Sequence, residues 1–191
     1  MKAHKSAFLT LLLASCCCLH GQEARQTLST GSGENIIRSF DDRIRNYLAL
    51  RSSAEAELLP LLPDASAAEI LRHERQLARK VARARKHARQ GDIFTLEIST
   101  EFLHIIQKAY AAPEAHIRTS IARGEPVRRR VRVNQPYPEG DPLSTSPPSL
   151  LSKLPELPED LEYRIAARDL VIRDARSNLV IDFIHDAIPA I

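Results

Sequence analysis

The chain has no tryptophan, and beyond Cys18 it has no cysteine. Cys16, Cys17 and Cys18 sit together near the start, so the remainder can form no disulfide and offers no thiolate for nucleophilic or zinc chemistry. No apolar run reaches the roughly 18 residues of a spanning helix, which excludes a polytopic membrane protein. A His-Glu-x-x-His pair, a Gly-x-Ser-x-Gly elbow, a phosphate-binding glycine loop and a Gly-x-Gly-x-x-Gly fingerprint are all missing. The sequence therefore points to no cofactor, and the five histidines past residue 33 (His73, His87, His104, His116, His185) show no metal-ligand spacing. Against these absences, 43% hydrophobic residues exclude a wholly disordered chain, and 191 residues suit one domain of ordinary size.

The start of the chain reads as an export signal. Met1 to Lys5 carries two lysines and no acid, and the ten residues from Ser6 to Ser15 are mostly apolar, with Phe8, Leu9, Leu11, Leu12 and Leu13. A basic start followed by an apolar segment of roughly 7–15 residues is the pattern of a secretory signal and too short for an anchor helix. Leu13-Ala14-Ser15-Cys16 resembles the lipobox of bacterial lipoproteins. That resemblance implies a signal over residues 1–15, a mature N-terminus at Cys16 and membrane association through acyl chains on that cysteine. Ordinary cleavage after Gly21 or Ala24, releasing a soluble protein, is the competing expectation. Lys2 and Lys5 leave with the signal, so 27 basic residues become 25 against 24 acidic ones and the net charge falls from +3 to +1.

Residues 16–33 are polar and small toward their end (Ser29-Thr30-Gly31-Ser32-Gly33) and are expected to form a flexible tether. A single domain over residues 34–189 should follow. Ile36, Ile37, Phe40, Ile44, Tyr47 and Leu48 recur at three and four, predicting a helix from Ser32 or Gly33 to about Leu58, stopped by Pro60 and Pro63. Ser66-Ala67-Ala68-Glu69 has capping-box spacing and predicts a second helix running to about Arg89, with Gly91 as its C-terminal stop. Its apolar stripe is Ile70, Leu77, Val81, Ala84 and Ala88. A third helix is expected over Leu96 to Ala111, and a short fourth after Pro113, ended by Gly124.

After Pro126 the period changes to two. Val127, Val131 and Val133 alternate with arginines, and Arg129 on the apolar face suits an edge strand. A proline-rich crossing follows, ending in a helical turn at Ser149 to Lys153. Then come a hairpin (Glu162 to Ala167, Leu170 to Asp174) and a largely apolar strand over Asn178 to Ile184. Helices followed by strands define an α+β fold, with about four helices and about four antiparallel strands.

Three features bear on function. Arg72, Arg75, Arg79, Arg83 and Lys86 form a basic row on the second helix, which carries eight Arg/Lys against two Glu between Glu69 and Gly91. Arg118 to Val133 adds six arginines against Glu125. These could meet an anionic envelope component, or form a solvated face balanced by acids elsewhere in the chain. Export argues against nucleic acid. Asp182, inside Leu179-Val180-Ile181-Asp182-Phe183-Ile184, would be costly to bury unpaired, and Arg130 or Arg132 on the arginine strand is the expected partner. The alternative groups Asp174, Asp182, His185 and Asp186 as the metal or acid–base centre of a hydrolase.

The segments Gln90-Gly91-Asp92-Ile93-Phe94-Thr95 and Tyr137-Pro138-Glu139-Gly140-Asp141-Pro142-Leu143, with the ending from Leu161-Glu162-Tyr163-Arg164 through Val180-Ile181-Asp182-Phe183-Ile184, resemble a family of exported bacterial proteins of unknown function. The resemblance implies one exported domain; the leading expectation from the chain as a whole is a cell-envelope protein, lipid-anchored or periplasmic, serving as a non-catalytic binding or structural module. It transfers no activity, ligand or catalytic residue.

Overall fold

A computed structural model describes residues 20–111, 130–137 and 148–189. The chain divides into two compact units, Met1–Asn35 and Ile36–Ile191, and the core lies within the second. Helix α1 spans His20–Ala56, α2 Ala67–Ala84, α3 Leu96–Ala111, and a four-residue turn, α4, Pro148–Leu151. Strands β1 (Leu161–Ala166), β2 (Asp169–Asp174) and β3 (Leu179–Ile184) form one antiparallel sheet in the order β1-β2-β3. The architecture is α+β.

The counts differ from expectation. Three full helices and three strands are present among the described residues, and the fourth helix expected after Pro113 lies outside them, as do Cys16 and the expected signal. Helix α1 begins at His20 rather than at Ser32 or Gly33, so the stretch expected as a tether is helical from His20 onward. The arginine-strand residues 130–137 join the sheet through a bridge between Pro136 and Leu179 rather than as a full strand. Asn134 N–H donates to the Val180 carbonyl, Val180 N–H to Gln135 and Tyr137 N–H to Asn178, at 2.7–2.9 Å. This arm therefore covers the outer edge of β3 and removes a template for strand addition, while Arg129, on which the edge-strand expectation rested, lies outside the described residues.

The sheet is buried on both faces. Its helix-facing side carries Leu161, Tyr163, Ile165, Leu170, Ile172, Leu179, Ile181 and Ile184. These pack with Phe40, Ile44 and Tyr47 of α1, Leu77 and Val81 of α2, and Ile98, Phe102 and Ile106 of α3. Phe40, Phe94 and Phe102 cluster with ring centroids 5.0–5.8 Å apart, geometry that favours aromatic contact beyond simple area burial. The opposite face packs Ala166, Val171 and Val180 beneath Val131 and Tyr137 of the arm.

Helix α2 starts as its sequence requires. The Ser66 side chain accepts from Glu69 N–H, and the Glu69 carboxylate accepts from Ser66 N–H. Its end is earlier than expected, at Ala84 rather than near Arg89. Gly91, with φ of +91°, lies in the loop that follows. That loop, residues 85–95, shapes the site below.

Candidate functional site

Asp182 stands on β3 opposite Ile172, on the helix-facing side of the sheet, and is fully buried. Its carboxylate is enclosed by backbone amides. One oxygen accepts from Gly91 N–H at 3.0 Å and from Phe183 N–H at 2.8 Å. The other accepts from Ile93 N–H at 2.8 Å and Phe94 N–H at 2.9 Å, and from Gly91 N–H at 3.2 Å. The Gly91 to Phe94 backbone thus wraps a carboxylate as it would wrap a bound anion. Arg43 of α1 donates to the Asp92 carbonyl, and the Asp92 side chain accepts from Arg89 N–H, which pins the loop in that shape. Burial pushes the Asp182 carboxyl above its ordinary range, while the four amides pull it back.

The expected ion pair is therefore corrected. Arg130 and Arg132 are exposed, and among the described residues Asp182 takes its hydrogen bonds from backbone donors. The arginine that the site does hold in place is Arg85, whose guanidinium is half-buried and feels the charges of Tyr47, Asp182 and Asp92. Arg85 follows α2, sits 5.0 Å from the Tyr47 ring centroid, and donates to Asn134 Oδ1 and to the Ile181 carbonyl at 3.2 Å. Asn134 in turn donates to the Arg85 carbonyl at 2.5 Å. Arg85 thereby ties the end of α2 to both the arm and β3. In the sequence nothing sets Arg85 apart from the other charges between Glu69 and Gly91.

Asp174, at the end of β2, is also fully buried. It accepts from the Tyr47 hydroxyl at 2.5 Å, Arg51 Nη1 at 3.2 Å, Arg176 N–H at 2.9 Å and Ser177 N–H at 3.4 Å. Arg51 also reaches Asp160 at 3.3 Å, and Arg176 pairs with Asp160 and with Glu55. Burial and the adjoining Asp174 push the Tyr47 phenol far above its ordinary value, so it stays a donor. This network fastens α1 to the turn between β2 and β3.

His185 and Asp186, beyond β3, meet Asp169 at the start of β2. The ligand atoms of these three residues lie within 4.8 Å of one another. His185 Nδ1 is 2.8 Å from Asp169, its Nε2 is 3.3 Å from Asp186, and Arg168 Nη1 is 3.3 Å from the same Asp186. Each ring nitrogen faces a different carboxylate. A metal would need one nitrogen and both carboxylates turned to a common point.

The proposed hydrolase centre thus separates into three places. Asp182 is enclosed by the loop, Asp174 by Tyr47 and Arg51, and His185 with Asp186 is exposed beside Asp169. Arg72, Arg75, Arg79, Arg83 and Lys86 are all exposed, and the charge of Arg72 acts on Glu69 at the start of α2. No helix among those residues is long and apolar enough to cross a membrane. Compared with known proteins, the chain matches no family model, no curated protein and no solved structure.

Proposed function

We propose that this chain is an exported cell-envelope protein, lipid-anchored at Cys16, that works as a non-catalytic binding or structural module. The observation that carries the second half is the use of Asp174 and Asp182. Both are wholly buried and hydrogen-bonded to the scaffold, whereas a catalytic carboxylate needs access to substrate and water. The first half rests on the basic and apolar start, the lipobox-like Leu13-Ala14-Ser15-Cys16, and the resemblance to exported bacterial proteins.

Expression in a bacterial host tests the export reading. The product should fractionate with membranes, and intact mass should give a chain beginning at Cys16 with acyl groups attached. Cys16→Ala should lose the lipid mass and leave the membrane fraction. Full-length chain, Met1 retained, in the cytosol would overturn the reading.

The hydrolase or metal-dependent alternative keeps one observation in its favour, the convergence of Asp169, His185 and Asp186. A bound metal would raise the melting temperature by mass action. On the binding-module reading, added Zn²⁺ should leave the melting temperature of the chain unchanged. An increase that disappears in His185→Ala would revive the alternative.

A further inference from the structure

The connection between α1 and α2 is Leu58-Leu59-Pro60-Leu61-Leu62-Pro63, one of the most apolar stretches past the signal. It is nevertheless in water: Leu59 is 87% exposed, Leu62 70% and Leu61 41%. The first turn of α2 adds Ile70 and Leu71, 48% and 46% exposed. Single exposed leucines are ordinary, but five large apolar side chains exposed within residues 59–71 are more than scatter, and Leu59, Leu61 and Leu62 of the loop are the core of the feature. Ile70 shares the apolar stripe of Leu77 and Val81, which are buried, yet stays half-exposed itself. The backbone keeps the loop out: Pro60 and Pro63 fix their φ angles, Leu58 N–H donates to Glu55 at 2.8 Å, and Ala65 N–H to Leu62 at 3.1 Å.

The basic row of α2 adjoins these leucines. Leu59 shares a shallow cleft of about 380 Å³ with Gln76, Arg79 and Arg83, and Pro60 and Leu61 share another with His73. Nearby acids are already engaged, Glu57 of the Leu59 cleft with Lys80, Glu69 in the cap of α2 and Glu74 within α2, leaving Asp64 as the loop's own acid. The arginine row lies on the side of α2 opposite the buried Leu77 and Val81.

We propose that loop 58–65 and the basic face of α2 dock on an anionic bilayer. The leucines enter the boundary between headgroups and acyl chains, while Arg72, Arg75, Arg79 and Arg83 lie against lipid phosphates. Protruding leucines beside a helix that carries eight Arg/Lys against two Glu between Glu69 and Gly91 match a continuous anionic surface better than they match the mixed rim of a protein interface. This deepens the envelope reading and rests on it for access to a bilayer. Vesicle binding does not depend on export, so either can fail while the other stands.

Because the chain has no tryptophan, Leu62→Trp in the full chain is a single indole reporter at an exposed position. On vesicles of phosphatidylglycerol and phosphatidylcholine its emission should shift to the blue and be quenched by brominated acyl chains. Pure phosphatidylcholine should produce neither effect. Adding Arg72→Gln, Arg75→Gln and Arg79→Gln to the reporter chain should weaken partitioning on the order of a hundredfold. Leu96→Trp, at a position 85% exposed, should show no shift and so controls for binding through the apolar start of the chain. Unmoved Leu62→Trp emission, an equal response to neutral vesicles, or an equal response at position 96 would each overturn the proposal. The first of these would leave the surface to a protein partner.

Discussion

Asp182→Ala should destabilise the protein by about 3–5 kcal/mol, because it strips the acceptor from four backbone amides, of which those of Ile93 and Phe94 are wholly buried. A domain of this size has a stability of roughly 5–15 kcal/mol, so the variant should sit close to its unfolding threshold. Asp182→Asn is the sharper test, since it keeps the volume. Either orientation of the amide points its NH₂ at Gly91 and Phe183 or at Ile93 and Phe94, setting donor against donor, and the expected cost is about 2–4 kcal/mol. Urea melts give the stability. Hydrogen exchange gives the location, since the amides of Ile93 and Phe94 should lose protection that the amides of β1 retain. A change below about 0.5 kcal/mol, within the range of an ordinary surface substitution, would contradict the structural role assigned to this carboxylate.

The same carboxyl sets a pH dependence with a definite sign. Burial raises its folded pKa above the ordinary 3.8. Between that value and the higher folded one, the native state holds a proton that the unfolded chain has released. The stability contributed by this linkage is full below 3.8 and declines as pH rises through the folded value. Asp182→Asn has no proton to release and should lose that slope.

Why the sequence pointed Asp182 to the wrong partner has a physical explanation. A buried carboxylate can be satisfied by a cation or by peptide N–H groups, and only the cation has a residue type that can be read from a sequence. Arg130 and Arg132 were visible; the amides of Gly91, Ile93 and Phe94 carry no such mark. The available signal was Gly91 itself, whose φ of +91° serves the loop although its position also suited a helix stop. Where local periodicity governs, the reading held: α3 spans Leu96–Ala111 as expected, Ser66 caps α2 with Glu69, and the hairpin and third strand fall within a residue of their places. Ile70 departs from the pattern because helical phase says which side a residue faces, not whether the core extends beneath that turn.

Asp174 should matter about as much as Asp182, for a different reason. Removing it with Asp174→Ala leaves Arg51, whose side chain is 11% exposed, with the partly exposed Asp160 as its remaining acid. It also orphans the Tyr47 hydroxyl and the amides of Arg176 and Ser177. A buried cation deprived of its closest buried anion typically costs about 3–5 kcal/mol. Tyr47→Phe should cost much less, about 0.5–1.5 kcal/mol, because the ring still packs and the carboxylate keeps three donors. The two residues touch, so their effects should not add. In Asp174→Ala the hydroxyl has already lost its acceptor, and the further change Tyr47→Phe should then be nearly neutral or stabilising. A double-mutant cycle from urea melts should therefore return a coupling of about 1 kcal/mol or more. Strict additivity would mean that the 2.5 Å contact contributes nothing to holding α1 on the sheet. The coupling distinguishes an energetic clamp from two residues that are merely adjacent, and it does so with variants of which one, Tyr47→Phe, should remain well folded.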